Sequence, residues 1–403
     1  MHGLTALLAA AVTATGAPAS APCTEANATH ACFGSACEQG VCVCDKGFTG
    51  HACSVLDLGN CTAALNPNNT WTWGAAARWV DPGNSAGGVE IMTMGLRERC
   101  GINEYRSNAH IIRAAAPSIL GPYTLDADDG TVGGLGPTEP PHWDATETED
   151  PNVVNFRNGS ALLFYTGAYV ENQTAKDCTN ANQPEPASNA LAAAQRIGVA
   201  YRDTPGGPWV RVAAPVLTPR KGAWDSVRVS NPAALIFENG TVLLAYRGNG
   251  ARAGGIGIAR AEHWAGPYTH VLDHGPLFDG YAEDPTLFLG NRGVIHMIAH
   301  GELGGALAGY VGIHAVSTDG VNWDTFGGAY TLAAVWSPGT AGEGGKPPRL
   351  GRREAPQVLM DGTTPVALFN GAMPCDCHYG NRAVQCNWGN ACRSFSMVCS
   401  INS

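Results

Sequence analysis

The sequence predicts an all-β chain: a five-bladed β-propeller behind a small N-terminal disulfide-rich module. Three observations carry this reading. Nearly a fifth of the 403 residues are glycine (52) or proline (26), which favours tight turns and argues against a helical bundle. A hairpin unit that opens on an acidic or amide residue before proline recurs along the chain. Six of the 14 cysteines fall between Cys23 and Cys53.

Composition narrows the function classes. With 24 basic and 34 acidic side chains, the formal net charge is −10. That balance argues against a nucleic-acid partner. No apolar run reaches the ~18 residues of a transmembrane helix, so no membrane span is expected. Leu4 to Thr13 is apolar and is followed by Ala19-Ser20-Ala21, which reads as a signal peptide over residues 1–21. An even cysteine count and six N-x-[ST] sequons, at Asn27, Asn60, Asn68, Asn158, Asn172 and Asn239, agree with a secreted, glycosylated protein.

Residues 22–54 form the small module. Its cysteines are Cys23, Cys32, Cys37, Cys42, Cys44 and Cys53. So short a segment cannot bury a sufficient core, and bridges must replace it. A zinc knuckle is disfavoured in an oxidising compartment. The stretch Cys42-Val-Cys44-Asp-Lys-Gly47-Phe48-Thr-Gly50-His-Ala-Cys53 resembles the second half of an EGF-like domain. The resemblance implies the pairs Cys23–Cys37, Cys32–Cys42 and Cys44–Cys53, and an extracellular protein partner for the module.

Residues 55–70 read as a linker, and 71–403 as the propeller with a disulfide-rich tail. The repeated unit is Glu149-Asp150-Pro151, a strand, the turn Asn158-Gly159, and a second strand to Gly167. It returns at Ser230-Asn231-Pro232 with the turn Asn239-Gly240, at Glu283-Asp284-Pro285, and at Glu354-Ala355-Pro356. Asn-Gly pairs are hairpin turns. A further strand ending near Gly-Pro-aromatic alternates with these hairpins, at Gly121-Pro122-Tyr123, Gly207-Pro208-Trp209 and Gly266-Pro267-Tyr268. The unit prolines are spaced by 81, 53 and 71 residues, the range of one four-stranded sheet plus loops. Trp73 to Gly95 supplies a divergent first copy. Five radially repeated sheets make a propeller; a two-sheet sandwich would not explain the alternation. Eight cysteines follow the module, and at least one bridge is expected from the Cys375–Cys399 tail to an earlier blade.

These motifs resemble the five-bladed propeller superfamily of arabinanases, xylosidases, invertases and levansucrases, and within it a group similar to glycoside hydrolase family 43. The segments that carry the likeness are Trp73-Gly74, Cys100-Gly101, Ser107-Asn108, Ser230-Asn231-Pro232, Glu283-Asp284-Pro285 and Arg352-Arg353-Glu354-Ala355-Pro356. The resemblance implies a sugar-binding funnel where the innermost strands start. It places Glu149, Ser230, Glu283 and Glu354 there, with Asp150, Asn231, Asp284 and Ala355 beside them. Such a ring is acidic, with Arg352, Arg353 and Arg228 as its only basic neighbours. Glycoside hydrolysis needs one protonated and one ionised carboxyl, and crowded like charges raise a pKa.

On this basis Glu283 is the expected acid, its pKa raised by Asp284 and Glu354, with Asp150 and Glu354 as the other key carboxylates. Asn231, Asp284, Glu149, Trp73 and His300 are expected to contact sugar, and Arg353 to moderate Glu354 or hold a substrate group. No cofactor or metal is expected. The resembled hydrolases carry a carboxylate in blade one, where this chain has Trp73-Gly74. Trp143-Asp144 and Trp224-Asp225 each lie eight residues before a unit proline and read as structural loops. Two functions follow: a secreted glycoside hydrolase-like protein acting through axial carboxylates, or a non-catalytic carbohydrate- or protein-binding propeller.

Overall fold

Four hairpin-led repeats and the divergent copy fold into five radial sheets in the computed structural model of the protein, antiparallel except where Val335–Trp336 runs parallel to Leu58–Leu65 at the edge of the fifth. The structure describes residues 22–402 except 69, 82–86, 98–99, 127–132, 157, 174, 181–187, 251–253, 279–280, 302–303, 305–306, 324, 339–349 and 374–392. The expected signal peptide and the tail cysteines Cys375, Cys377, Cys386 and Cys392 lie outside the described residues.

Each blade runs outward from the axis in chain order. The inner strands are Trp71–Trp79, Glu147–Asn155, Arg228–Ile236, Ala282–Leu289 and Arg352–Asp361. Blades one to four each add three further strands, the last only two residues long in the first three. The first three strands of each blade are largely buried because neighbouring blades cover both faces, and they read accordingly as apolar runs rather than alternating ones. Val242, Leu244 and Ile258 thus pack from different faces of their sheet into the interfaces on either side of blade three.

The fifth blade closes the ring and corrects the expected linker. Residues 55–70 are not a spacer. Val55–Leu56 pairs with Phe48–Thr49 in the small module. Leu58–Leu65 pairs with the C-terminal strand Phe395–Ile401 and so joins blade five. The physical reason is the edge: an unpaired C-terminal strand would expose its N–H and C=O groups. The Cys61–Cys399 disulfide staples this seam across a sequence separation of 338. It ties the tail to the strand preceding blade one, inside the same sheet, rather than to another blade.

The module is held by Cys23–Cys37, Cys32–Cys42 and Cys44–Cys53. It docks on blades four and five. Phe48 packs with Phe288, Ile298, Tyr330 and Leu368, and Arg292 pairs with Asp45 at 2.7 Å. Beneath Phe48 lie two buried histidines. His314 Nδ1 donates to the Ser54 carbonyl at 2.7 Å. Its Nε2 then accepts from His296 Nδ1 at 2.9 Å, the arrangement in which both rings are neutral.

Burial drives the His314 pKa down to about 4. Burial, His314 and Arg292 hold His296 well below its ordinary value. Between the unfolded value near 6.5 and about 4, the unfolded chain binds a proton that native His314 refuses. Stability is therefore full above that window and falls as pH drops through it. From His314 alone the loss is about 3 kcal/mol. Urea midpoints at pH 7 and pH 4 for the wild type and His314→Gln check this, since the variant should lose less on acidification.

The six sequon asparagines are all exposed. Asn158 and Asn239 occupy hairpin turns at the far ends of inner strands, away from Glu149 and Ser230.

Candidate active site

The same irregularity recurs in every inner strand. The register advances three residues on the inner strand and two on its partner, between Trp73/Ala76, Glu149/Asn152, Ser230/Ala233, Glu283/Thr286 and Glu354/Gln357. Each is a β-bulge. The extra residue has positive φ: Gly74 at 65°, Asp150 at 50°, Asn231 at 49°, Asp284 at 52° and Ala355 at 49°. For the four non-glycine residues this conformation costs about 1–3 kcal/mol each, and since each is followed by proline it also opposes the usual extended preference of a pre-proline residue. The bulge turns two consecutive side chains toward the axis. Hydrogen bonds within and between blades hold the ring. Thr166 Oγ1 donates to Asp150 Oδ2 at 3.2 Å and accepts from the Asn231 amide at 3.0 Å. Asp284 accepts from Asn231 Nδ2 and from the Ala355 amide, the latter at 3.1 Å.

The result is one axial cavity of about 290 Å³. Asp150, Glu283 and Glu354 all line it, as do Glu149, Asn231, Asp284 and Trp73. Two expected residues do not. Arg353 alternates to the other side of its strand, as successive strand residues must. It is buried, donates to Asn370 Oδ1 at 2.9 Å and to the Thr331 and Ala333 carbonyls, and stacks on Tyr330. The neighbouring Arg352 faces the cavity, bonds Glu354 through two 2.7 Å contacts and covers Trp73 at 4.9 Å. His300 stands behind the wall, its Nδ1 3.4 Å from Glu283 Oε1.

Glu283 departs from expectation in charge. Burial alone would raise its pKa, but the Arg247 guanidinium, His300 and the Tyr281 hydroxyl outweigh burial and hold it at about 2. It is ionised at neutral pH and cannot be the protonated acid. Its carboxylate partners raise His300 to about 8 against the opposing effect of burial. Arg247 lies opposite Ser230 on the second strand of blade three, at the position that Thr166 holds in blade two.

The carboxyls displaced toward the neutral form lie elsewhere in the ring. Burial, then Asp150 and Glu147, push Glu149 well above its ordinary value. Its Oε1 accepts from Gln195 Nε2 at 2.6 Å, while its buried Oε2 has no hydrogen-bond partner among the described residues. Burial also leads the rise of Asp150 to about 6, opposed by Thr166 and helped by Glu283. Asp284 is raised well above its usual range by burial, Glu283 and Asp150. Thus the cavity holds carboxyl groups in both protonation states.

Ligand atoms of Glu283, His300 and Glu354 lie within 4.8 Å of one another. Both carboxylates are already matched by guanidinium groups, so this trio does not fit a divalent cation. The Trp-Asp loops are structural. Asp144 and Asp225 accept from Tyr165 and Tyr246 at 2.8 and 2.7 Å. Trp143 and Trp224 stack on the same tyrosines.

One wall was invisible to the repeat pattern. Ile102, Asn103, Tyr105 and Arg106 line the cavity from the loop after Val89–Leu96 in blade one. The Cys100–Cys178 disulfide bolts that loop to blade two. So do the Lys176 amide, which donates to the Ser107 carbonyl at 2.8 Å, and Asn108 Nδ2, which donates to the Lys176 carbonyl at 2.6 Å.

No family model matches the chain, and no curated protein matches its sequence. Solved structures do match its fold. A family 117 glycoside hydrolase of the marine bacterium Zobellia galactanivorans superposes with TM-score 0.53 at 14 % identity, over 86 % of this chain and 91 % of that one. A protein of unknown function from Dyadobacter fermentans gives TM-score 0.50 at 11 % identity, over 86 % and 99 %. A fructofuranosidase of Schwanniomyces occidentalis gives 0.50 at 11 %, over 84 % and 58 %. The chain thus has a five-bladed β-propeller fold that is also found among glycoside hydrolases.

Proposed function

We propose that the chain is a secreted glycoside hydrolase that cleaves a glycosidic bond in the axial cavity, between Glu283 and Glu149. The observation that carries this is the pairing of opposite carboxyl states in one cavity. Glu283 is kept ionised by Arg247, and Glu149 is kept neutral by burial with Oε2 unengaged. Environments that push carboxyl pKa values apart separate an acid from a base. Glu149 protonates the leaving oxygen, and Glu283 supplies the negative charge that attacks or activates water at the anomeric carbon. Asp150 and Asn231 hydrogen-bond sugar hydroxyls, and Trp73 offers an apolar face. The module is read as EGF-like and as the contact for an extracellular partner, residues 1–21 as a signal peptide, and the six exposed asparagines as glycan acceptors.

The test is hydrolysis of aryl glycosides and polysaccharides by the purified protein. Glu149→Gln should lose about 10²–10⁴-fold on substrates with poor leaving groups. It should retain activity on dinitrophenyl glycosides, whose leaving group needs no proton. A second reading, a carbohydrate-binding propeller without catalysis, draws on Trp73-Gly74, which leave the inner strand of blade one without a carboxylate at the axial positions. Glycan binding without release of any aglycone would select it.

A further inference from the structure

We infer that the cavity selects a sugar bearing an oxyanion, a carboxylate or a sulfate ester, and that Arg106 is the residue that reads it. The inference rests on the carbohydrate reading of the cavity and adds the class of sugar. Cavity arginines differ in their partners. Arg247 is matched by Glu283 and Arg352 by Glu354. Arg106 has no carboxylate partner among the described residues. Its Nη1 donates to Ser188 Oγ at 3.0 Å, its plane lies 4.5 Å over the Tyr105 ring, and its buried Nε has no hydrogen-bond partner. Glu147 and Glu149, two acidic groups that sense its charge, are both displaced toward the neutral form, chiefly by burial. Among the described residues Arg228 behind them bonds neutral groups, Asn249 Oδ1 at 2.9 Å, Gln195 Oε1 at 3.2 Å and the Tyr105 hydroxyl.

Among the described residues this side of the cavity therefore carries positive charge without a protein counterion, although the chain as a whole is acidic. A guanidinium whose Nε edge is unengaged suits an oxyanion that accepts two parallel N–H bonds. The position is also pre-organised, because the loop that carries Arg106 is tied to blade two by Cys100–Cys178 and by Ser188. Desolvation of an anion there is offset only if the anion meets that edge, so a neutral isostere leaves the guanidinium unmatched.

Calorimetric titration of the full chain with matched oligosaccharide pairs tests this. One pair is oligogalacturonate and its methyl ester; the other is a sulfated galactan oligosaccharide and its desulfated form. At least one anionic member should bind roughly 10- to 100-fold tighter than its neutral partner, the span expected for a charged hydrogen-bonded contact. Arg106→Gln should erase that preference, and Arg106→Lys should restore part of it. The pair that shows the preference identifies carboxylate or sulfate as the source. Neutral members bound as tightly as anionic ones, or a preference that survives Arg106→Gln, would overturn the inference and leave the proposed hydrolase intact. No binding of any glycan, charged or neutral, would overturn both.

Discussion

Glu283→Gln should lower glycoside turnover by about 10²–10⁴-fold while binding persists. Glutamine keeps the shape and can still accept from Tyr281, but it carries no negative charge to present to the anomeric carbon. The change reaches further than the reacting atoms. Arg247 loses its counterion in a buried position, and removing one partner of a buried pair costs about 3–5 kcal/mol. His300 loses its nearest carboxylate and should titrate below its present value of about 8. Arg247→Met in the Glu283→Gln background should recover much of the thermal stability without recovering activity. That combination separates charge at the reacting centre from a general loss of structure. It is read by melting temperature, by turnover and by the histidine resonance as pH is varied.

Removal of the Cys61–Cys399 bridge should be the most destabilising change in the scaffold. The two sulfurs join the ends of the ring across 338 residues. In the chain-entropy model a closed loop of that length is worth about 6 kcal/mol. Cys61→Ala with Cys399→Ala should lower the urea midpoint more than loss of Cys100–Cys178, whose separation is 78. The smaller loop is worth about 4–5 kcal/mol on the same model. A shift no larger than that of the blade-one bridge would place ring closure in strand pairing rather than in the disulfide.

The blade pattern was legible because its signal is local. Each unit proline follows a bulge residue, so Asp150, Asn231, Asp284 and Ala355 could be found by their neighbours in sequence. The bulge itself explains why the residue two before proline points at the axis, as Glu149, Glu283 and Glu354 do. The charge state of that ring was not legible, because it depends on cross-strand partners. Arg247 stands opposite Ser230 and His300 opposite Glu283, at the ends of second strands that read as ordinary apolar runs. The sequence shows only crowded acids, which implies a raised pKa for Glu283, and Arg247 reverses it. Arg353 was preferred over Arg352 although strand alternation lets only one of them face the cavity. Arg106 lies in no repeat at all; a disulfide from another blade delivers it. The strand Leu58–Leu65 reads as a linker in sequence because its partner, Phe395–Ile401, lies at the opposite end of the chain.

The account stands on opposite protonation states within one cavity, and infrared difference spectroscopy of the carboxyl stretch measures that directly. At pH 7 the wild-type protein should show protonated carboxyl absorption that diminishes in Glu149→Gln, where Glu147 and Asp284 still contribute, and is kept in Glu283→Gln, with the ionised carboxylate signal diminished in the latter. A band that survives Glu149→Gln unchanged, or one that disappears with Glu283→Gln, would contradict it.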